Sequence, residues 1–183
     1  MNAIEVLIEE HNNIEIMLKI IRKASLAILE GAEVDYDDFN KMIYFVRNYA
    51  DDHHHKKEEI MLFNRMVDEI GETAEKVVKY GMLVEHDLGR LYISSLSEAL
   101  ENYKNGNNEA KLDIIANAVS YTNLLQRHIY KENNVVFRFG ERELNKDTIE
   151  IINNECEEFE LEFTQNKKEN LSILKELMDK YCI

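Results

Sequence analysis

A chain of 183 residues, 45% apolar in the broad count, is long enough for one domain with a sizeable core. A net charge of −14 leaves no basic patch to neutralise phosphates, which excludes nucleic acid as a partner and argues against an anionic membrane surface. No proline and only six glycines favour long uninterrupted helices, and no apolar run reaches the roughly 18 residues of a membrane span.

The opening residues, Met1-Asn2-Ala3-Ile4-Glu5, carry no basic region or long apolar run, so no secretory signal is expected. The first helix is predicted from Asn2, a good N-cap, to about Gly31, with the apolar stripe Ile4, Leu7, Ile8, His11, Ile14, Leu18 and Ile21. The second runs from about Asp35 to Ile70-Gly71 and carries Phe39, Ile43, Val46, Ala50, His54, Glu58 and Met61 on one face. The third starts near Thr73, carries Val78, Met82, His86, Ile93, Leu96 and Leu100, and breaks at Asn105-Gly106-Asn107-Asn108. The fourth holds Ile114, Ala118, Tyr121, Leu125, His128, Glu132 and Val135 and ends near Gly140. From about Lys146 to Ile183 one or two further helices are expected, with an apolar face of Leu171, Leu174, Leu177, Met178 and Tyr181. No strand signal is present. The expectation is an all-α antiparallel up-down four-helix bundle over residues 1–140, with a helical extension over 141–183 packed on the bundle or on a partner. Cys156 and Cys182 form no metal-spaced or C-x-x-C motif, so a reduced, cytoplasmic protein is expected.

Each of the four bundle helices places a histidine in its apolar stripe. A lone histidine there is usually core, but one per helix is a pattern. In an up-down bundle, residues at one level lie equally far from the connecting loop. His11 lies about 19 residues before its loop and His54 about 19 after it; for His54 and His86 the distances are about 13 and 13; for His86 and His128 about 18 and 19. All four therefore fall in one layer. Two of the four also head a repeat, H-x-x-K-E-x-x-x-x-F, running from His54 to Phe63 and from His128 to Phe137. The i,i+4 spacing puts Glu58 beside His54 and Glu132 beside His128 on one helix face. This match selects His54 among His53, His54 and His55; the other two are expected on the solvent side or behind the ligands.

The candidate set is thus His11, His54, Glu58, His86, His128 and Glu132. Imidazole and carboxylate without thiolate suit iron, manganese or zinc. Two carboxylates can bridge two metals, and four terminal imidazoles then leave open positions for a small ligand. Ferritin-like bundles use Glu-x-x-His pairs instead. Gly89, one turn past His86, either leaves room for such a ligand or permits close helix packing. Tyr121 is expected in the core, with its phenol within reach of a ligand on the metal. Arg90 is expected in solvent, and Lys57 and Lys131 as partners of nearby carboxylates.

Over residues 3–137 the sequence resembles the hemerythrin-like family, the HHE cation-binding domain. The resemblance is carried by Glu10-His11, by His54-His55-Lys56-Lys57-Glu58-Glu59 leading to Leu62-Phe63, by Glu85-His86-Asp87-Leu88-Gly89-Arg90, and by His128 to Glu132 leading to Phe137. It implies two iron ions, oxo- or hydroxo-bridged when oxidised, with the four histidines as terminal ligands and both glutamates bridging. Zinc or manganese fits the resemblance less well. The small-molecule partner it implies is O2, NO or peroxide. Oxygen-carrying members have a fifth histidine where this chain has Arg90, and a final Asp five residues after the last histidine, where this chain has Glu132 four after. The pattern is therefore similar to the bacterial type and to di-iron proteins that repair iron–sulfur clusters. The cluster-repair proteins often carry an N-terminal cysteine-bearing segment, which is not seen here. Three functions are consistent: binding or sensing the small ligand, detoxifying peroxide or NO as an enzyme, and donating iron for cluster repair. A homo-oligomer or a redox partner is compatible with each.

Overall fold

The computed structural model describes residues 1–183 and contains helices only. α1 (Ala3–Leu29) begins at Asn2, whose side chain accepts from the backbone N–H of Ile4 and Glu5 at 3.0 and 3.2 Å. Gly31, at φ 101°, takes the left-handed turn that ends it. α2 (Tyr36–Phe45), N-capped by Asp35, continues without a break into α3 (Asn64–Ile70). The rod stops at Gly71, at φ 80°. α4 (Glu72–Val77) leads into α5 (Leu83–Lys104), and α6 (Ala110–Lys131) into α7 (Phe137–Glu143). Each expected bundle helix is thus present. α8 (Lys146–Glu162) and α9 (Thr164–Tyr181) complete the chain.

The junctions inside three of these rods are π-helical: Val46–His55, Glu58–Phe63, Val78–Met82 and Glu132–Val136. A π-helical turn bonds i to i+5 and holds one extra residue, which rephases the face that follows. The regular 3.6-residue period used on the sequence does not describe this stretch. The four turns flank or contain His54, His55, Glu58, His86 and Glu132.

α1, the α2–α3 rod, α5 and α6 pack as the four staves of the antiparallel bundle. On one side of the histidine layer the core is Ile14, Leu18 and Ile21 against Phe39, Ile43, Ile93, Leu96 and Ile114. On the other it is Ile4 and Leu7 against Phe63, Met66, Val78 and Phe137. Burying a side chain of this kind stabilises the fold by about 1.5–3 kcal/mol, so both halves of the core clamp the layer between them.

The C-terminal helices do not cap an open end. They run in succession along the groove between α1 and the α2–α3 rod. Asn153 Oδ1 accepts from the Ala3 backbone N–H at 2.8 Å, Arg65 pairs with Glu155 at 2.7 Å, and Tyr181 donates to Asp38 at 2.7 Å. Leu174 and Leu177 join the main core.

Candidate metal centre

The six predicted residues are all buried and meet in one layer. His11 and His54 face each other with their Nε2 atoms 2.8 Å apart. His86 and His128 do the same at 3.0 Å. Two imidazole nitrogens bound cis to one metal at about 2.1 Å would lie about 3.0 Å apart, so each pair has the spacing of a shared ion. Glu58 presents Oε1 to His54 and His11, at 3.3 and 3.9 Å, and Oε2 to His86 at 3.5 Å. Glu132 presents Oε2 to His11 at 3.3 Å, and Oε1 to His128 and His86 at 3.1 and 3.7 Å. Each carboxylate thus gives one oxygen to each imidazole pair. None of these four buried oxygens accepts a hydrogen bond. Unsatisfied buried carboxylate oxygens are costly. A pair of cations between the imidazole pairs would satisfy all four, so the residues fit the metals that the resemblance implies.

The opposite ring nitrogens are held from behind. Asn133 Oδ1 lies 2.7 Å from His11 Nδ1, and Glu10 Oε2 lies 3.0 Å from His54 Nδ1. Glu59 Oε1 lies 2.7 Å from His86 Nδ1, and Glu85 Oε2 lies 3.0 Å from His128 Nδ1. Such partners fix the ring and turn Nε2 toward the centre. The four contacts obey a pseudo-twofold rule. The glutamate before each histidine of α1 and α5 holds the histidine of the next rod. The residue after Glu58 and the residue after Glu132 hold the histidines of α5 and α1. Lys57 binds Glu10 at 2.5 Å, and Lys131 binds Glu85. Phe137 stacks on His11 with centroids 5.6 Å apart, and Phe63 on His86 at 6.1 Å. Every fixed position of H-x-x-K-E-x-x-x-x-F therefore has a contact in or beside the layer: the histidine and glutamate within it, the lysine on a glutamate behind it, and the phenylalanine stacked on a histidine.

The chain belongs to the hemerythrin HHE cation-binding family. That family's sequence profile matches residues 2–139, which is most of the chain. No curated protein and no solved structure matched it. Family membership and the His/Glu clusters make this a metal-binding helical domain. No helix is long and apolar enough to cross a membrane.

At the HHE layer the solvent side, one of the two places expected for His53 and His55, is ruled out, and the expectation for Arg90 is corrected. His53 and His55 do not reach solvent; they are 1% and 5% exposed. Three consecutive side chains cannot all face the centre of a four-helix bundle, but α8 and α9 bury a further face of the α2–α3 rod. His53 lies there, 3.1 Å from Glu10, 3.0 Å from Glu160 and against Phe159. It sits behind the His54 brace. His55 instead lies in the layer, within metal-ligand reach of Glu58, His86 and His128. Arg90 is likewise not simply solvated. It binds both oxygens of Asp51 and one of Glu59 at 2.6–3.0 Å. The consecutive histidines and the Asp51–His55 spacing of four were the available signals.

A cavity of about 380 Å3 opens beside the layer, lined by Asp51, His55, His86, Gly89, Arg90 and Tyr121 among others. A Cβ at Gly89 would touch Leu125 and Tyr121 at 3.5 and 3.6 Å, ordinary contact distances, so glycine here adds space and relieves no clash. Tyr121 is buried as expected, and its hydroxyl has no hydrogen-bond partner.

Glu10, His53 and Glu160 also cluster closely, but the Lys57 ammonium occupies their centre. That group is a charge network and not a second ion site.

Burial alone would lower the imidazole pKa values, but the carboxylates outweigh it. The Glu58 charge and the Glu10 contact push His54 up to about 9. Glu132 and Glu85 push His128 up to about 10. His55 moves the other way, well below the usual histidine value, through burial and the neighbouring imidazoles. In the metal-free protein at pH 7, His54 and His128 therefore carry protons. Their raised values stabilise that form fully below the unfolded value of about 6.5 and lose effect as pH rises through 9–10. Metal must displace these protons. We expect at least two protons released per chain on metal loading at pH 7, with affinity rising toward pH 9. Titration calorimetry in two buffers of different ionisation enthalpy measures the number, and release near zero would refute it.

Proposed function

We propose that this protein holds two iron ions and binds, or reacts with, a small diatomic or peroxide ligand. His11, His54, His86 and His128 would be terminal ligands, and Glu58 and Glu132 would bridge. The observation that carries the reading is that each buried glutamate presents one oxygen to each imidazole pair. A closed structural zinc site needs four ligands and no bridging pair. An iron pair would supply the binding or reduction of O2, NO or hydrogen peroxide.

The chain's own groups prepare the site for this. The Nδ1 partners fix all four ring orientations, while Phe63, Phe137 and the apolar halves of the core exclude water. The cavity beside Gly89 offers the ligand a route, and the free Tyr121 hydroxyl offers it a hydrogen bond. A reduced cytoplasmic setting suits the two free cysteines, Cys156 and Cys182. We assign residues 1–140 to the metal-holding bundle and 141–183 to the extension that braces it.

Protein isolated without oxygen is expected to carry two irons per chain, and His54→Ala or His128→Ala to lower that content. Iron unchanged in both variants, or zinc at full occupancy in the native protein, would overturn the reading. Rapid mixing of the reduced protein with O2 separates the functions. A lasting visible spectrum that reverses on removing O2 indicates binding. Prompt, irreversible oxidation excludes carriage, and sustained consumption of peroxide or NO indicates an enzyme.

A further inference from the structure

We propose that the cavity beside the metal layer is a subsite for the organic group of an uncharged alkyl hydroperoxide. This rests on the two-metal reading above and names the peroxide that such a site would take. The cavity measures about 380 Å3. One water claims about 30 Å3 of liquid, so O2, NO or hydrogen peroxide would fill a small fraction of it. Sites for small organic molecules run from about 300 to 1,000 Å3. O2 and NO carry no substituent. Of the ligands considered, only a peroxide can bear a group that occupies the rest.

The wall and the rim agree with that choice. The buried wall is Val46, Ala50, Gly89, Ile93 and the Tyr121 ring, and His86, a candidate metal ligand, borders it. An apolar group gains by leaving water for such a surface. On the rim, Arg47 and Arg90 stand against Asp51 and Asp52. Two cations and two anions leave no net charge, so neither an organic acid nor an amine is favoured over a neutral molecule. Tyr121 is 2% exposed and its hydroxyl lacks a partner. A buried donor left unpaired is costly, and a peroxide oxygen would accept from it.

Gly89 is the third observation. It lies inside α5, where glycine is less stable than alanine. Its φ is not positive and a Cβ would meet only ordinary contacts, so neither backbone nor packing requires it. What the glycine preserves is the width of the cavity. Cleavage of the O–O bond of a bound hydroperoxide would take two electrons from a ferrous pair and two protons from solvent. It would leave the alcohol, water and two ferric ions.

Calorimetric titration of the anaerobically isolated protein tests the subsite without turnover. 2-Phenyl-2-propanol, the alcohol left by cumene hydroperoxide, should bind at one saturable site per chain. Toluene, which fits the wall but accepts no conventional hydrogen bond, should bind there too. Tyr121→Phe should weaken the alcohol about three- to tenfold and leave toluene unchanged. Gly89→Leu should abolish both. Failure of both molecules to bind a protein that holds two irons would overturn the proposal and leave the cavity a passage for diatomic ligands. Equal binding of the alcohol by the native and Tyr121→Phe proteins would also overturn it, even where Gly89→Leu does not fold. In rapid mixing, the alcohol should compete with cumene hydroperoxide for oxidation of the reduced protein. A protein that fails to hold two irons would instead sink the underlying two-metal reading, so the two failures are distinguishable.

Discussion

Glu58→Gln is expected to hold at most one iron per chain after anaerobic loading, against the two proposed for the native protein. Glutamine keeps the shape of the side chain and both its heteroatoms, but its amide nitrogen cannot donate a lone pair to a metal. Glu58 gives one oxygen to the His11–His54 side and the other to the His86 side. A single substitution therefore removes a ligand from one ion and the screening charge between the two. Losing only an outer hydrogen-bond partner of a ligand costs about 10–100-fold in metal affinity. Loss of the bridge should exceed 100-fold for the second ion. Glu132→Gln should behave alike, because its oxygens are divided between His11 and the His86–His128 pair in the same way. Glu59→Gln is the calibrating control: it leaves Glu58 and Glu132 intact, weakens the brace behind His86 and the Arg90 contact to the same oxygen, and should stay within the 10–100-fold range. Iron and Mössbauer analysis reads all three. Two magnetically coupled irons persisting in Glu58→Gln would show that the carboxylate does not bridge.

The bundle itself was legible because its helices obey simple periodicity. The stripe from Ile4 to Ile21, the caps at Asn2 and Asp35, and the breaks at Gly31, Gly71 and Gly106 all have direct physical causes. The layer could be found by counting from the loops, since a helix rises a constant amount per residue. Lys57 and Lys131 were legible as partners of carboxylates, but which carboxylates they hold, and what Phe63 and Phe137 stack on, could not be read, because each acts on a histidine or glutamate of another helix. His55 was hidden by the regular period. An α-helical phase that places His54 inward turns His55 aside, and the π-helical turns that change the phase have no strong sequence mark. Arg90 looked solvated because a charged residue on a helix usually is. Its partner Asp51 lies 39 positions away, and only the packed bundle brings them together. The extension was equally opaque: its apolar face was visible, but nothing local said that it covers His53 and Lys57.

Lys57 and Lys131 occupy equivalent places in the repeat, yet replacing them with methionine should have unequal consequences. Lys57 is 1% exposed, and it joins Glu10, also 1% exposed, to Glu160 of α8. Burial would raise both carboxyls, but hydrogen bonding to His53, joined by His54 at Glu10 and by Lys167 and Lys57 at Glu160, holds Glu10 well below the usual range and Glu160 down to about 2. His53 contacts both carboxylates without the lysine, with His54 still at Glu10 and Lys167 at Glu160, so both are expected to stay charged near pH 7 in its absence. Removing one partner of a buried ion pair costs about 3–5 kcal/mol, because a charge is left unpaired. His53 and Lys167 still reach these carboxylates, so Lys57→Met should sit at the low end, near 3 kcal/mol. For a chain of this size that lowers Tm by roughly 6–12 °C. The Lys131 side chain is 41% exposed, and water can replace it at Glu85. Lys131→Met should cost no more than about 1 kcal/mol. Thermal melts of both variants in metal-free form make the comparison. Equal losses would mean that α8 does not seal the first half of the site from solvent. A larger loss at Lys57 would show that the extension gives two sequence-matched braces different strengths, with the stronger behind His54.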